Sequence, residues 1–386
     1  MRLAHDVPFD SQNGPDLEQV PKAQGVVRLE FDQGRPYLGK TVSMRRRIER
    51  LAGPAASESV RRALRSVEFQ PTGSSFETTW RLLSAAVEDW PDDYRRRLRL
   101  RCPAFVGLLT ANEFPRTTVT TRIAGARTLH FGPFRSRAAA ERFEGEILDF
   151  FTVRRCVENL EPSADHPGCV YGEIGKCSRP CQAAVDPEEY RAESGRLLEA
   201  LHTRGRSLET QLELDRDAAS ESLEFEEAAR AHARIEKLAQ AMKLAEGPAR
   251  DIDELHGIVI QRAAEAGRIL LWPLYRGWLR PPLELAWEAD AGRPVSLDRK
   301  LRELLLQASL EEASASLRED HQALLARWMF SNRKRGEMLL FEGWKTPPFR
   351  KLVNAVSRVA RGVEARDGLT AAMRADAADR AEATNR

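Results

Sequence analysis

Four cysteines, Cys156, Cys169, Cys177 and Cys181, stand in the spacing C-x12-C-x7-C-x3-C within one segment of the chain. Thiolates are soft ligands, and four of them complete the shell of a metal centre. The spacing is not the paired short-knuckle arrangement of a zinc ribbon, so a cluster, a zinc ion and four plain thiols all remain open on spacing alone. Cys102 falls outside the set and reads as an ordinary buried thiol. A second chemistry is carried by arginine. Arg45, Arg46, Arg47 and Arg50 form one cluster, Arg61, Arg62 and Arg65 a second, and Arg95 to Arg101 a third. Such clusters suit phosphate contacts along a groove, with a solvated, salt-bridged helix face as the alternative. Arg45, Arg46, Arg95, Arg97 and Arg99 are the candidate DNA contacts.

Elements must position these groups, and 386 residues suffice for roughly two to four compact domains. A charged fraction of 31% and a hydrophobic fraction of 42% describe a soluble globular chain, and the net charge of +2 does not by itself announce a nucleic-acid binder. The N-terminus has no apolar signal core. The longest apolar run, Ile269 to Tyr275, is too short to span a bilayer and contains a proline. A cytoplasmic protein without a membrane contact is expected, and five cysteines in that compartment argue against a disulfide framework.

Along the chain, residues 1–22 are polar and read as a disordered lead-in. Val26 to Glu30 and the run at Tyr37 flank Asp32-Gln33-Gly34 as strand, turn and strand. A helix from Val42 to Ala52 stops at Gly53-Pro54, and a strand covers Val67 to Gln70. Phe76, Trp80, Leu83, Val87 and Trp90 recur at helical spacing and predict an amphipathic helix closed by Pro91. Strands follow between 104 and 135, then a helix from Arg137 to Phe151. Residues 187–246 predict two long charged helices broken near Asp215 to Ala219, and 251–362 a second strand-and-helix region. The tail, 364–386, has no aromatic residue and is expected to be disordered.

The strand, turn, Tyr37-Leu38-Gly39-Lys40 and arginine-rich helix together resemble a GIY-YIG endonuclease domain, here spanning 23–102. The resemblance implies a small mixed sheet with helices. It also implies Tyr37 as base or water-positioning group, Lys40 and Arg47 as the residues on the phosphate, and a helix-borne glutamate holding Mg²⁺ or Mn²⁺. Two departures stand out. Gly25-Val26-Val27 replaces the first half-motif, so Val27 stands where the family has tyrosine, and Leu82 falls on the metal glutamate. Glu77 lies about 140° round the helix from Leu82. The late tyrosine of the arginine helix falls on Leu51, and Asp92-Asp93-Tyr94 stands where an asparagine is expected after Pro91. Glu88, Asp92 and Asp93 are candidate substitute carboxylates.

The wording around the cysteines is more specific than their spacing. His130-Phe131-Gly132-Pro133-Phe134, Arg154-Arg155-Cys156, Pro167-Gly168-Cys169 and Gly175-Lys176-Cys177-Ser178-Arg179-Pro180-Cys181 are similar to the UvrC excinuclease family and its short Cho-like forms. That resemblance implies a [4Fe–4S] cluster on Cys156, Cys169, Cys177 and Cys181 within a strand-and-helix connector, 103–186, with zinc as the alternative. Leu223-Glu224-Phe225-Glu226-Glu227-Ala228-Ala229-Arg230 resembles the UVR motif. The motif implies a helical hairpin, 187–246, that pairs with a UvrB-like helicase through Leu223, Phe225, Ala228 and Ala229. Leu223, Ala228, Ile235 and Leu238 would form its apolar stripe. Residues 251–362 resemble a degenerate RNase H-like remnant without its acidic cluster, and the Trp328 to Arg350 stretch is a further candidate DNA contact.

The fold expected is therefore α/β and α+β multidomain: nuclease-like module, cysteine-rich connector, α-helical hairpin and α+β remnant. The function expected is binding of damaged double-stranded DNA in nucleotide excision repair, with metal-dependent incision of one strand. Two alternatives remain: a non-catalytic adaptor that binds DNA and UvrB, and a DNA-binding regulator switched by the redox state of the cluster.

Overall fold

The computed structural model describes residues 3–10, 14–111, 113–123, 128–245, 247–287, 295–331 and 335–363. The chain is mixed α and β, built on small antiparallel sheets. The tail expected to be disordered lies outside the described residues.

The first sheet collects β1 (His5–Asp6), β4 (Gly25–Phe31), β5 (Tyr37–Thr41) and β6 (Leu64–Pro71) in the order β1-β6-β4-β5, beside a small ladder of β2 (Phe9–Asp10) and β3 (Gly14–Pro15). The hairpin of β4 and β5 sets Val27 opposite Gly39 and Leu29 opposite Tyr37. The sheet expected to be mixed is antiparallel throughout. The crossover through α1 (Met44–Ala52) and α2 (Glu58–Ala63) brings β6 to the far edge of β4, so the two parallel strands, β5 and β6, are never neighbours. In α1, Met44, Ile48 and Ala52 recur at intervals of four and are buried, which leaves the arginines between them on the outer faces.

The lead-in expected to be disordered is part of this sheet. Leu3, Val7 and Val20 are buried, β1 pairs with Phe69 and Glu68, and the Leu3 N–H donates to Glu68 Oε2 at 2.9 Å. Its apolar residues are too sparse to show a period, and only the edge of β6 gives them something to pair with.

α3 (Ser75–Asp89) opens on a reciprocal cap. The Ser74 hydroxyl accepts from the Glu77 N–H at 3.1 Å, and Glu77 Oε2 accepts from the Gly73 N–H at 2.8 Å. The helix is not amphipathic in the ordinary sense. Leu82, Ala85 and Ala86 pack with Val26 and Leu38 of the first sheet, while Phe76, Trp80 and Leu83 pack with Val259, Trp272 and Leu324 of the C-terminal region. It is therefore sandwiched, and the module expected at 23–102 shares a core with residues far along the chain. α4 (Tyr94–Leu98) follows.

The second sheet comprises β7 (Ala104–Leu109), β8 (Arg116–Thr120), β9 (Thr128–Phe134) and β10 (Arg250–Asp251), order β10-β9-β7-β8. Phe131 and Phe134 on β9 close over Phe143 of α5 (Arg137–Leu148), with ring centroids 5.0 and 5.2 Å apart. The cysteine segment contains only α6 (Val170–Glu173) and a 3-10 turn at Pro180–Gln182. Three helices then follow where two were expected: α7 (Pro187–His202), α8 (Arg206–Glu221) and α9 (Phe225–Leu244). The expected break at Asp215 to Ala219 lies inside α8. The turns fall at Gly205 and Leu223, both in the left-handed region, φ 86° and 59°.

The third sheet runs β13-β12-β11-β15 with β14 on β12: β11 (His256–Arg262), β12 (Arg268–Tyr275), β13 (Trp278–Leu279), β14 (Leu283–Ala286) and β15 (Glu337–Phe341). α10 (Leu297–Leu305) and α12 (Phe349–Arg361) cover one face, and α11 (Ala315–Met329) packs with α3 on the other. Asp253 falls on a 3-10 turn and His256 at the start of β11. Asp253 is paired with Arg318 and Arg276.

Candidate functional site

The β4–β5 hairpin presents Tyr37, Gly39 and Lys40 on its second strand. Tyr37 folds back over Gly39. A Cβ on Gly39 would lie 2.6 Å from the tyrosine oxygen, so only glycine leaves the phenol this position. Lys40 is exposed and stands between two clefts. One, of about 270 Å³, is lined by Lys40, Thr79, Leu82, Trp90, Arg97 and Arg327 among others. The other, of about 410 Å³, is lined by Gln24, Lys40, Thr41, Arg47, Ser75 and Thr78 with Val42. Lys40 and Arg47, the latter from α1, thus line one cleft together, whereas Tyr37 lines neither. Burial, and then the charge of Arg327, hold the Lys40 ammonium below the usual lysine range. Arg327 arrives from α11, and no local pattern in the sequence points to it; its Nη2 donates to the Arg99 carbonyl at 2.9 Å.

Among the described residues, no carboxylate lines either cleft. Leu82 is buried among Leu3, Val26, Leu38, Ala85 and Trp90, and Val27 is wholly buried against Met44 and Ile48. Glu77 is spent on the α3 cap, and burial pushes its carboxyl up. The candidate substitutes are engaged elsewhere. Asp93 accepts from Arg35, Arg96 and Arg97, and Asp92 pairs with Arg35. Asp89 and Glu68 bracket Arg28 at 2.8 and 2.9 Å. Glu88 also has a partner in the fold.

The candidate DNA arginines divide. Arg46, Arg97 and Arg99 are exposed, and Arg97 lies 4.9 Å over the Trp90 ring while bonded to Asp93. Arg45 and Arg95 are instead structural. Arg45 donates to the carbonyls of Val20 and Glu18 at 2.7 and 3.0 Å and so pins the lead-in. Arg95 pairs with Asp320 at 2.8 Å and Glu319 at 3.3 Å, joining α4 to α11, and the Tyr94 hydroxyl donates to the same Asp320 at 2.6 Å. Their guanidinium groups are drawn inward by acceptors that sequence spacing does not reveal. In the Trp328 to Arg350 stretch, Trp328 is buried, Trp344 donates to the Leu274 carbonyl at 2.9 Å, and residues 332–334 lie outside the described residues.

The four cysteines share one neighbourhood. Cys177 and Cys181 are buried, Cys156 is half-buried and Cys169 exposed. Burial first, and then the neighbouring thiols, push Cys177 and Cys181 above the usual range. Two donors face the sulfurs: Arg154 Nη1 lies 3.7 Å from Cys156 Sγ, and the Arg179 N–H donates to Cys177 Sγ at 3.4 Å. Among the described residues, no group of three or more His, Cys, Asp or Glu is drawn together tightly enough to hold one metal ion. Next to the segment, Asp149 accepts from Arg155, Lys176 and Lys237 at 2.7–2.8 Å, which ties the cysteine loop to α9.

The apolar stripe of the hairpin splits. Ile235 and Leu238 pack into the core around Phe143 and Tyr190, whereas Leu223 and Phe225 are 70% and 68% exposed at the α8–α9 tip. Ala228 is half-buried and Ala229 exposed.

The family described as UvrC/Cho excinuclease, middle domain, matches residues 104–203, which include all four clustered cysteines. The UvrABC system protein C of Pseudarthrobacter chlorophenolicus is 28% identical over 294 residues, covering 70% of this chain and 42% of the relative. That of Desulforudis audaxviator is 27% identical over 330 residues, 82% and 53%. That of Methanothermobacter thermautotrophicus is 25% identical over 294 residues, 75% and 49%. The chain spans about half the length of the curated relatives it matches. No solved structure matches it. No helix among the described residues is long and apolar enough to cross a membrane. The chain is UvrC-like.

Proposed function

We propose that this UvrC-like chain serves nucleotide excision repair by gripping damaged double-stranded DNA and pairing with a UvrB-like helicase, without cutting the strand itself. The observation that carries this reading is the pair of clefts at the hairpin: Lys40, Arg47, Arg97 and Arg327 line them, and among the described residues no carboxylate does. Such a surface attracts the phosphate backbone and releases its counterions. It lacks a ligand for Mg²⁺ or Mn²⁺, because the position matched to the metal glutamate is a leucine inside an apolar cluster. A divalent ion does not fit this site, and no incision step is derived through one.

Leu223 and Phe225, with Ala228 and Ala229 beside them, are the partner-binding group. Their exposed apolar surface lies on a hairpin whose base is already fixed in the core. Cys156, Cys169, Cys177 and Cys181 are the residues that would hold a [4Fe–4S] cluster, with zinc as the alternative. The N–H donors aimed at Cys156 and Cys177 suit thiolate sulfurs, although Cys169 is exposed and the four sulfurs are not drawn to one point. When bound, the cluster supplies a cross-link for the loop.

The test is nicking of a lesion-bearing duplex by the full chain in Mg²⁺ or Mn²⁺, with and without a UvrB-like helicase. The expected result is salt-dependent binding and no nick. A nick made by the wild type and abolished in Tyr37→Phe would overturn the reading.

A further inference from the structure

Gln261 is fully buried on β11, yet neither its amide nitrogen nor its carbonyl oxygen has a hydrogen-bond partner. Both atoms of a buried amide left vacant are unusual, because such a group gives up its water and gains nothing in return. The side chain lines a cavity of about 280 Å³ where the loop before α3 meets the end of β11. Gly73 and Ser74 form one wall at the start of α3, Arg262 follows Gln261 on β11, and Arg335 and Gly336 lead into β15. Gly362, at the end of α12, closes the site.

Among the described residues, two arginines line it and no acidic residue does, although the Glu77 carboxylate accepts from the Gly73 N–H behind that wall. Arg262 uses its Nε on the Val359 carbonyl at 2.7 Å, which leaves its terminal nitrogens to donate elsewhere. The Ser74 hydroxyl oxygen accepts from the Glu77 N–H, so its own proton can be given to a ligand. An amide offering one donor and one acceptor side by side complements a planar edge that carries the opposite pair, which is how a glutamine reads adenine. Arginines at the rim suit a phosphate.

We propose that this cavity binds one nucleotide unit, its base edge on the Gln261 amide and its phosphate on Arg262 and Arg335. The unit can be a free mononucleotide or a nucleotide turned out of a DNA strand. The site is separate from the Lys40–Arg47 cleft: Ser75 and Thr78 line that cleft, whereas Gly73 and Ser74 line this cavity.

The test is equilibrium dialysis of the full chain against labelled dAMP, with inorganic phosphate and deoxyadenosine as partial ligands. It is paired with fluorescence of a 2-aminopurine placed at a mismatch in a duplex. Gln261→Met keeps the side-chain shape and removes the vacant polar atoms, so it folds at least as well as the wild type; Arg335→Ala alters an exposed side chain. Each variant is expected to weaken dAMP binding by about tenfold or more, and Lys40→Ala to leave it unchanged. Dialysis positive with silent fluorescence assigns the free mononucleotide; a fluorescence rise lost in Gln261→Met assigns the extruded base. Binding of phosphate as tight as dAMP, insensitivity to Gln261→Met, or no signal in either arm overturns the proposal.

Discussion

The nuclease-like hairpin and the cysteine segment are built on opposite plans. In the hairpin, each side chain at a reactive position is accounted for by packing: Val27 and Leu82 fill apolar clusters, and Gly39 makes room for Tyr37. In the cysteine segment, packing accounts for the two ends, where Phe151 and Val153 enter the core and Cys177 and Cys181 are buried. Residues 151–169 form neither helix nor strand, and Val157, Val170 and Ile174 remain exposed. The cluster proposed above would crosslink the stretch between these anchored ends.

The comparison breaks most visibly at Cys177. Cys177→Ala should abolish visible absorbance and iron content and open residues 152–181 to limited proteolysis, while the first sheet keeps its thermal transition. A loop that stays protected without metal would mean it is held by its own contacts. The next effect is on stability. Leu82→Glu places a carboxylate in an apolar cluster and should cost about 2–4 kcal/mol in urea unfolding; no loss would show that position 82 is solvated and free to hold an ion. Smaller is the joint change Lys40→Ala with Arg47→Ala, which should weaken duplex binding and lower the slope of log affinity against log salt by about 2. The smallest is a pH effect. Lys40 has a depressed folded pKa, through burial and then Arg327. It therefore loses its proton, and its share of DNA affinity, in a window that opens below the ordinary lysine value of about 10.4. By the same sign, its cost to folding is present below that window and relieved as pH rises through it. Arg327→Ala should move the loss of affinity to higher pH in a fluorescence titration.

What the sequence disclosed was local. The Tyr37–Lys40 strand, the arginine helix and the cysteine wording each lie within a few turns of chain, where spacing and neighbours fix the geometry. What it concealed was tertiary. Arg327 reaches Lys40 from α11, and Arg45 and Arg95 turn inward because carbonyls of the lead-in and carboxylates of α11 lie in wait. Leu3 and Val7 look like stray apolar residues until β6 offers an edge. The helix break was misplaced because only Asp215 and Asp217 there are weak helix formers and Arg216, Ala218 and Ala219 carry α8 through, while the true turn rests on Leu223 in the left-handed region, which propensity does not foresee.

A helix with core on both sides has no free surface to shed first. If α3 were to detach from the first sheet, Phe76, Trp80 and Leu83 would pull away from Trp272 and Trp328 as well. The two sheets should then open as a single cooperative unit, and amides along residues 76–87 should exchange with solvent only at the rate of global unfolding. Severing the chain before β11 would leave that aromatic face uncovered, so the nuclease-like half is not a separable part but one side of a shared joint.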